Sequence, residues 1–224
     1  MALRDLPSPN HGPRAAAIDM LVVHYTGMRN ATEALARLTS LDSAVSAHYL
    51  IDEDGTVWRL VPEERRAWHA GISFWRGRRD INSASIGIEL VNPGHEFGYR
   101  AFPEAQLAAL EVLARDILGR HAIPPHNVLG HSDVAPARKQ DPGELFPWRR
   151  LALAGIGVWP GSPLPPAPRE IRPVLGAIGY DPDVALAPTI TAFQRHFRPI
   201  PCDGVPDEET RAMAAAIANL YRGV

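Results

Sequence analysis

The hydrophobic residues in the first two thirds of the chain follow two different periods, one typical of strands and one typical of helices. The apolar run at 20–23 ends at His24 and is typical of a strand buried on both faces. Residues 85–90 alternate strictly, which predicts a strand with Glu89 on its polar face and aliphatic side chains on the other. Residues 102–121 carry an apolar stripe with helical spacing, which predicts a long helix.

Shorter segments between these elements continue the same mixture. Residues 31–41 predict a helix, and residues 46–61 predict a hairpin that turns at Asp54 and Gly55. Residues 127–131 predict a short strand that leads into a long loop. Because strands and helices are mixed in this way, we expect an α/β fold in which helices flank a mixed central sheet.

A proline-rich segment separates this region from a tail with a purely helical pattern. It holds five prolines in fourteen residues, which is typical of a stiff, extended linker. The tail predicts three helices, and Asp207 is placed to cap the last of them. We therefore expect a first domain at 1–156, the linker at 157–170 and a small three-helix domain at 171–224.

Composition excludes several classes of function. The 23 Lys and Arg residues nearly balance the 25 Asp and Glu residues, and a net charge of −2 gives no basic field for following nucleic acid. No apolar run is long enough to span a bilayer, and the single cysteine, Cys202, excludes an intrachain disulfide framework. The N-terminal segment has no apolar signal region, which predicts a cytoplasmic protein. A periplasmic or wall-associated location is the alternative if the sequence is a piece of a longer chain.

Histidine, carboxylate and lysine side chains remain as candidates for chemistry. Lys139 is the only lysine among the 23 basic residues, so it reflects either chance or the need for a compact ammonium group. It lies between His131 and Asp141 in a segment whose prolines oppose a helix. Two histidines and a carboxylate from distant positions are a common ligand set for catalytic zinc. A surface loop with a Lys139–Asp141 ion pair is the alternative, and His24 taken alone is more typical of a structural histidine.

Four motifs, in order along the chain, resemble the zinc-dependent N-acetylmuramoyl-L-alanine amidases. These bacterial muropeptide and anhydromuropeptide amidases share a fold with peptidoglycan-recognition proteins. The resemblance covers about residues 18–150, and its motifs are LVVHYTG, SAHYLIDEDG, AWHAGISFWRGRRDINSASIGIELVNPG and LGHSDVAPARKQDPG. The tail, which includes AFQRHFRPIPCDGVPDEETRAM, is similar to the small helical peptidoglycan-binding module often attached to such enzymes.

The resemblance implies an active site residue by residue. The zinc ligands of the family fall on His24, His131 and Asp141, its catalytic carboxylate on Glu89 and its catalytic lysine on Lys139. Glu89 is then the base that takes a proton from the attacking water and returns it to the departing amine, while zinc and Lys139 stabilise the oxyanion. The bond that the resemblance implies joins the lactyl group of N-acetylmuramic acid to L-alanine in peptidoglycan or its fragments. We expect a Zn²⁺ cofactor, muropeptides or peptidoglycan as partners, and a monomer.

Other residues support weaker expectations. Trp68 and His69 are placed to line the substrate groove, and Arg78 to pair with a carboxylate of the stem peptide, although an arginine cluster is more often a solvated surface. His48 is expected to support the site from behind rather than bind metal, because the ligand set is already complete.

Two alternatives to the amidase remain open. The first is a non-catalytic protein that binds or senses peptidoglycan fragments, against which the five intact site residues argue. The second is a zinc hydrolase that acts on another amide.

Overall fold

The structure is a computed structural model that describes residues 3–222 of the chain. Its strands are, in chain order, β1 (Leu3–Asp5), β2 (His11–Pro13), β3 (Met20–Tyr25), β4 (Tyr49–Ile51), β5 (Val57–Arg59), β6 (Arg65–Ala67), β7 (Ser85–Leu90) and β8 (Val128–Gly130). Six of them form one sheet in the order β1-β5-β4-β7-β3-β8, and β2 pairs with β6 in a separate antiparallel ribbon. In the large sheet β4 and β5 are antiparallel and the other neighbours are parallel, so the sheet is mixed, as expected.

Helices flank this sheet; some lie between its strands in the sequence and the last five come after them. They are α1 (Ala31–Thr39), α2 (Ile81–Ala84), α3 (Gly94–Phe97), α4 (Glu104–Arg120), α5 (His131–Val134), α6 (Trp148–Leu153), α7 (Arg172–Ile178), α8 (Leu186–Phe197) and α9 (Glu208–Arg222). Short 3₁₀ turns lie at Leu41–Ser43 and Pro125–Asn127. No helix in the described part of the chain is both long and apolar enough to cross a membrane.

The main elements form where the side-chain pattern predicts them. The apolar stripe of α4 is buried against the sheet, and Pro103 lies directly before the helix, at its N-cap position. The β4–β5 hairpin turns at Gly55, whose φ of +85° lies in the left-handed region. Asp207 Oδ1 accepts a hydrogen bond from the Thr210 backbone N–H at 2.8 Å, which is the expected cap of α9.

The short elements are where the structure differs from the expectation. The strands β1, β2 and β6 have three residues each, too few for a readable period. The segment after β8 was expected to be a loop, but it begins with the single helical turn α5 before Pro136. One turn fits because proline opposes a helix only where its ring meets a preceding turn.

The two faces of the sheet pack against different helices. Leu21 and Val23 of β3 face α4 together with the aliphatic side chains of β7. Met20 and Val22 face the opposite side, where they share one hydrophobic cluster with residues of α7, α8 and α9. The segment at 157–170 forms no helix or strand. The three C-terminal helices therefore lie against the same sheet face on which His24 follows Met20 and Val22.

Candidate metal centre and active site

Two histidines and an aspartate converge at the carboxyl edge of the central sheet. His24 lies near the end of β3, and His131 begins α5 directly after β8, the parallel neighbour of β3. Asp141 follows in the loop after α5. His24 Nδ1 lies 2.9 Å from both His131 Nδ1 and Asp141 Oδ2, and the latter two atoms are 3.0 Å apart. All three side chains are buried.

The donor atoms of this cluster fit a zinc ion. One atom from each residue faces a common point, and the three atoms are two imidazole nitrogens and one carboxylate oxygen. Three protein ligands of these types leave a fourth position for water or substrate. The other ring nitrogens are engaged elsewhere, because His24 Nε2 lies 3.0 Å from His69 Nδ1 and His131 Nε2 lies 3.0 Å from the Ala70 carbonyl oxygen. Each imidazole therefore keeps Nδ1 for the cluster.

Electrostatics favours the metal-binding forms of these side chains. Burial lowers the pKa of His24 to about 4, and the adjacent His131 acts in the same direction, so the His24 ring is neutral at pH 7. Burial alone would raise the pKa of Asp141, but the adjacent rings of His131 and His24, whose Nδ1 atoms lie 3.0 Å and 2.9 Å from Asp141 Oδ2, hold it well below its ordinary value. A neutral imidazole and an ionised carboxylate are the states in which these groups bind metal.

Glu89 lies beside this cluster because of the strand register. It pairs with His24 in the parallel β3–β7 ladder, so both side chains leave the same face of the sheet. Its Oε2 atom is buried and has no hydrogen-bond partner within residues 3–222. Burial and the negative charge of Asp141 raise the pKa of Glu89 well above its ordinary value, and Lys139 opposes this shift. A carboxylate in such surroundings takes up a proton more readily than one in water.

Lys139 is half-buried on the wall of the cavity that Glu89, His131 and Asp141 also line. Its positive charge acts on Glu89 and His24, lowering the pKa of each. Its ammonium group forms no hydrogen bond or ion pair with the residues that the structure describes. The cavity has a volume of about 310 Å³, and Tyr25, Met28 and Trp68 also line it. Four of the five residues predicted for metal binding and catalysis therefore line one cavity, and the fifth, His24, contacts two of them, His131 and Asp141.

Of the three residues predicted to bind substrate, two line the cavity and one does not. Trp68 and His69 line the cavity, but the His69 ring also lies against His24. Arg78 is not brought to the cavity, because its guanidinium group pairs with the Asp19 carboxylate, with Nη1 at 2.8 Å from Oδ2. His48 is fully buried, and its Nδ1 accepts the Gly87 backbone N–H at 2.9 Å; its side-chain hydrogen bonds include none to a metal-site residue.

Three further polar residues support the site and were not found from the sequence. Asn82 Oδ1 accepts the backbone N–H groups of both His69 and Ala70. Ser85 Oγ lies 3.1 Å from His69 Nε2. Asp133, two residues after His131, is buried beneath the C-terminal helices. Their partners are distant in sequence, so the only local signal is Gly87, a glycine inside a strand that indicates a close approach of another group.

Comparison with known proteins assigns the chain to a family. Residues 14–144, more than half of the chain, match the family model described as Amidase_2, N-acetylmuramoyl-L-alanine amidase. The chain belongs to this family. The N-acetylmuramoyl-L-alanine amidase AmiD of Escherichia coli (strain K12) is 41% identical over 91% of this chain and 83% of AmiD. The 1,6-anhydro-N-acetylmuramyl-L-alanine amidase AmpD of Enterobacter cloacae is 36% identical over 66% of this chain and 87% of AmpD.

Solved structures of related proteins have the same fold. AmiD from E. coli, in complex with the substrate anhydro-N-acetylmuramic acid-L-Ala-D-gamma-Glu-L-Lys, matches with a TM-score of 0.83 and 42% identity over 92% of this chain and 91% of that chain. AmpDh3 from Pseudomonas aeruginosa matches with a TM-score of 0.84 and 36% identity over 94% of both chains. The expected family and fold class are confirmed.

Proposed function

We propose that this protein hydrolyses the amide bond between the lactyl group of N-acetylmuramic acid and L-alanine, with zinc as its cofactor. The observation that carries the proposal is the convergence of His24, His131 and Asp141 beside the unpartnered carboxylate oxygen of Glu89. The named activities of AmiD and AmpD, and the muropeptide bound in the AmiD complex, support the substrate class.

Different residues of the chain carry out the separate steps of amide hydrolysis. Zinc held by His24, His131 and Asp141 would supply a Lewis acid and a water of lowered pKa. Glu89 takes the proton of the attacking water, because its Oε2 is free and its raised pKa favours the protonated form. The same carboxyl group then returns the proton to the departing amine, which would otherwise leave as an unstable anion.

Lys139 compensates the negative charge that develops on the carbonyl oxygen during attack. Its ammonium group breaks no ion pair with a described residue in order to do so. A preorganised group of this kind typically contributes about 2.7–4 kcal/mol of transition-state stabilisation. Trp68 offers a flat apolar surface beside the site, which suits the ring of a sugar or the backbone of a short peptide.

The test uses a purified muropeptide and the full chain. Release of the peptide from the sugar is followed by liquid chromatography and mass spectrometry, before and after chelation and after zinc is added back. We expect Glu89→Gln to lower the rate by roughly 10²–10⁴-fold while zinc binding persists, since a general base typically contributes that much. Glu96→Gln, on exposed helix α3, is the matched control and should remain active. Unchanged turnover by zinc-free protein would contradict the mechanism.

The same preparation separates the two alternatives. A protein that only binds or senses fragments would hold the muropeptide tightly and form no product after long incubation. A zinc hydrolase of another amide would cleave a different member of a substrate panel and leave the muramyl amide intact. Either result would replace the proposed activity.

Several expectations from the sequence stay predictions. Cell fractionation tests the cytoplasmic location, and sedimentation tests the monomer. Co-sedimentation of the full chain with isolated sacculi, with and without substitutions on the surface of α7–α9, tests wall binding by residues 171–224.

A further inference from the structure

A chain of buried hydrogen bonds extends from His24 away from the metal-binding cluster. His24 Nε2 lies 3.0 Å from His69 Nδ1, and His69 Nε2 lies 3.1 Å from Ser85 Oγ. The Ser85 hydroxyl in turn donates to the Ile81 carbonyl oxygen at 2.6 Å. His24, His69 and Ser85 are each less than a tenth exposed, so water does not compete for these positions.

The number of hydrogens available sets the direction of every bond in this chain. Ser85 has one hydroxyl hydrogen, and it is used on the Ile81 carbonyl, so Ser85 Oγ accepts the N–H of His69 Nε2. A neutral imidazole has a single N–H, so His69 Nδ1 must accept from the next ring. His24 therefore carries its hydrogen on Nε2, and its Nδ1 presents a lone pair to His131 and Asp141.

The tautomer of the second histidine, His131, is set by Ala70, the residue that follows His69. His131 Nε2 lies 3.0 Å from the Ala70 carbonyl oxygen, which can only accept, so Nε2 carries the hydrogen and Nδ1 presents the lone pair. Asn82 Oδ1 accepts the backbone N–H groups of both His69 and Ala70, at 3.0 Å and 2.7 Å. Arg138 Nη2 donates to the same Ala70 carbonyl at 2.6 Å. His69 and Ala70, whose backbone N–H groups both donate to Asn82 Oδ1, thus contact the rings of His24 and His131.

The fit of His69 against the sheet leaves little freedom. A Cβ atom at Gly87 would lie 2.5 Å from His69 Cγ, so the imidazole rests directly on the backbone of β7. This contact fixes the plane of the ring as well as its distance from His24.

We propose that His69 and Ala70 form a support that sets the tautomer and the orientation of both histidine ligands, with His69 acting as a positioning residue for His24. The inference rests on the proposed zinc site but not on the amide that is cleaved. Removing the support lowers zinc affinity, because His24 then divides its population between two tautomers and several orientations. Partners of this kind typically change metal affinity by roughly 10–100-fold.

The test compares three variants of the full chain. His69→Phe keeps a planar ring but removes the acceptor, and His69→Asn keeps an acceptor near the position of Nδ1. His11→Phe, on β2 and outside the cavity, is the matched control. Zinc affinity is measured by competition with a chromophoric chelator. We expect a loss of roughly 10–100-fold in His69→Phe, partial recovery in His69→Asn and no change in His11→Phe.

A spectroscopic measurement on the zinc-free protein tests the tautomers directly. Two-bond ¹H–¹⁵N correlation spectra distinguish protonated from unprotonated ring nitrogens, and His24→Ala identifies the His24 signals. We expect an unprotonated Nδ1 in His24 of the unsubstituted protein, and averaged nitrogen shifts in His69→Phe. A proton on His24 Nδ1 in the unsubstituted protein would overturn the inference.

Each remaining outcome also decides the matter. If His69→Phe folds and binds zinc as tightly as the unsubstituted protein, the support has no role. If His69→Phe does not fold, Ser85→Ala decides, because it keeps the His69 ring, removes the acceptor for His69 Nε2 together with the bond to the Ile81 carbonyl, and must still weaken zinc binding. If the unsubstituted protein itself binds no zinc, the proposed function fails together with the inference. Intact zinc binding without amidase activity leaves the inference standing and removes only the function.

Discussion

The carboxylate of Asp133 joins the C-terminal helices to the helical turn that begins at His131. Asp133 is 1% exposed, and its Oδ1 accepts the Tyr180 hydroxyl hydrogen at 2.7 Å. Its Oδ2 accepts the Gly130 backbone N–H at 2.7 Å and lies 2.7 Å from His196 Nδ1. The Tyr180→Phe substitution removes one donor and keeps the aromatic packing of that ring on Trp75, whose centroid is 5.2 Å away.

The size of the effect follows from the buried carboxylate. A hydrogen bond to a charged group contributes about 1.5–3 kcal/mol to the free energy of unfolding. For a chain of this length each kcal/mol shifts Tm by about 2–4 °C, so we expect Tm to fall by roughly 3–12 °C in Tyr180→Phe. Tyr221→Phe is the matched control, because Tyr221 is buried in the same hydrophobic cluster and its hydroxyl forms no hydrogen bond within residues 3–222.

The assays are thermal unfolding, which gives Tm, and urea unfolding of both variants, each followed by tryptophan fluorescence and circular dichroism. Because α7–α9 share a hydrophobic cluster with Met20 and Val22, we expect one transition that moves as a whole. The reasoning is refuted if Tyr180→Phe lowers the free energy of unfolding no more than Tyr221→Phe does. It is also refuted if two transitions appear and the substitution moves only one of them.

Three other measurements test the site and its surroundings. Gly87→Ala should reduce zinc affinity and Tm, because a Cβ atom there would lie 2.5 Å from the His69 ring. Gly176→Ala in α7, where a Cβ atom would have no neighbour within 4 Å, should reduce neither. Equal Tm values for the two variants would contradict this reasoning. Burial and the nearby Arg14 lower the pKa of His48 from 6.5 to about 3, so below pH 6.5 the unfolded chain binds a proton that the native protein does not. The contribution of His48 to the free energy of unfolding of the zinc-free protein should therefore be full above pH 6.5 and fall by up to about 1.4 kcal/mol per pH unit below it. Urea unfolding at a series of pH values measures this dependence, which should be shallower in His48→Asn. Zinc at about 100 times its Kd should raise the free energy of unfolding by about 2.7 kcal/mol, and a chelator should reverse the accompanying rise in Tm.

Local side-chain patterns predicted which residues leave the functional face of the sheet. The alternation in β7 places Glu89 on the same face as Gly87, as the structure has it. The run before His24 likewise predicted β3. The register that sets His24 beside Glu89 was not predictable, because the pattern within one strand contains no information about its partner.

The surroundings of the ligands depend on contacts between distant segments. His69 was expected in the substrate groove, but its contact with His24 spans 45 residues and forms only when the segment before α2 folds onto β7. The resemblance supplied the ligand set that spacing alone left open between a metal site and a surface ion pair. The turn α5 was missed because four residues are too few to show a helical period.

The pairing of His24 with Glu89 has a consequence for engineering. Their separation is set by backbone bonds between two adjacent central strands, whereas much of the cavity wall comes from connecting segments such as 26–28 and 138–141. Altering the length or composition of residues 26–28 can therefore change which substrates fit the cavity while the distance between Glu89 and His24 stays constant. Libraries that diversify those residues and leave both strands intact are the natural route to new amide specificities.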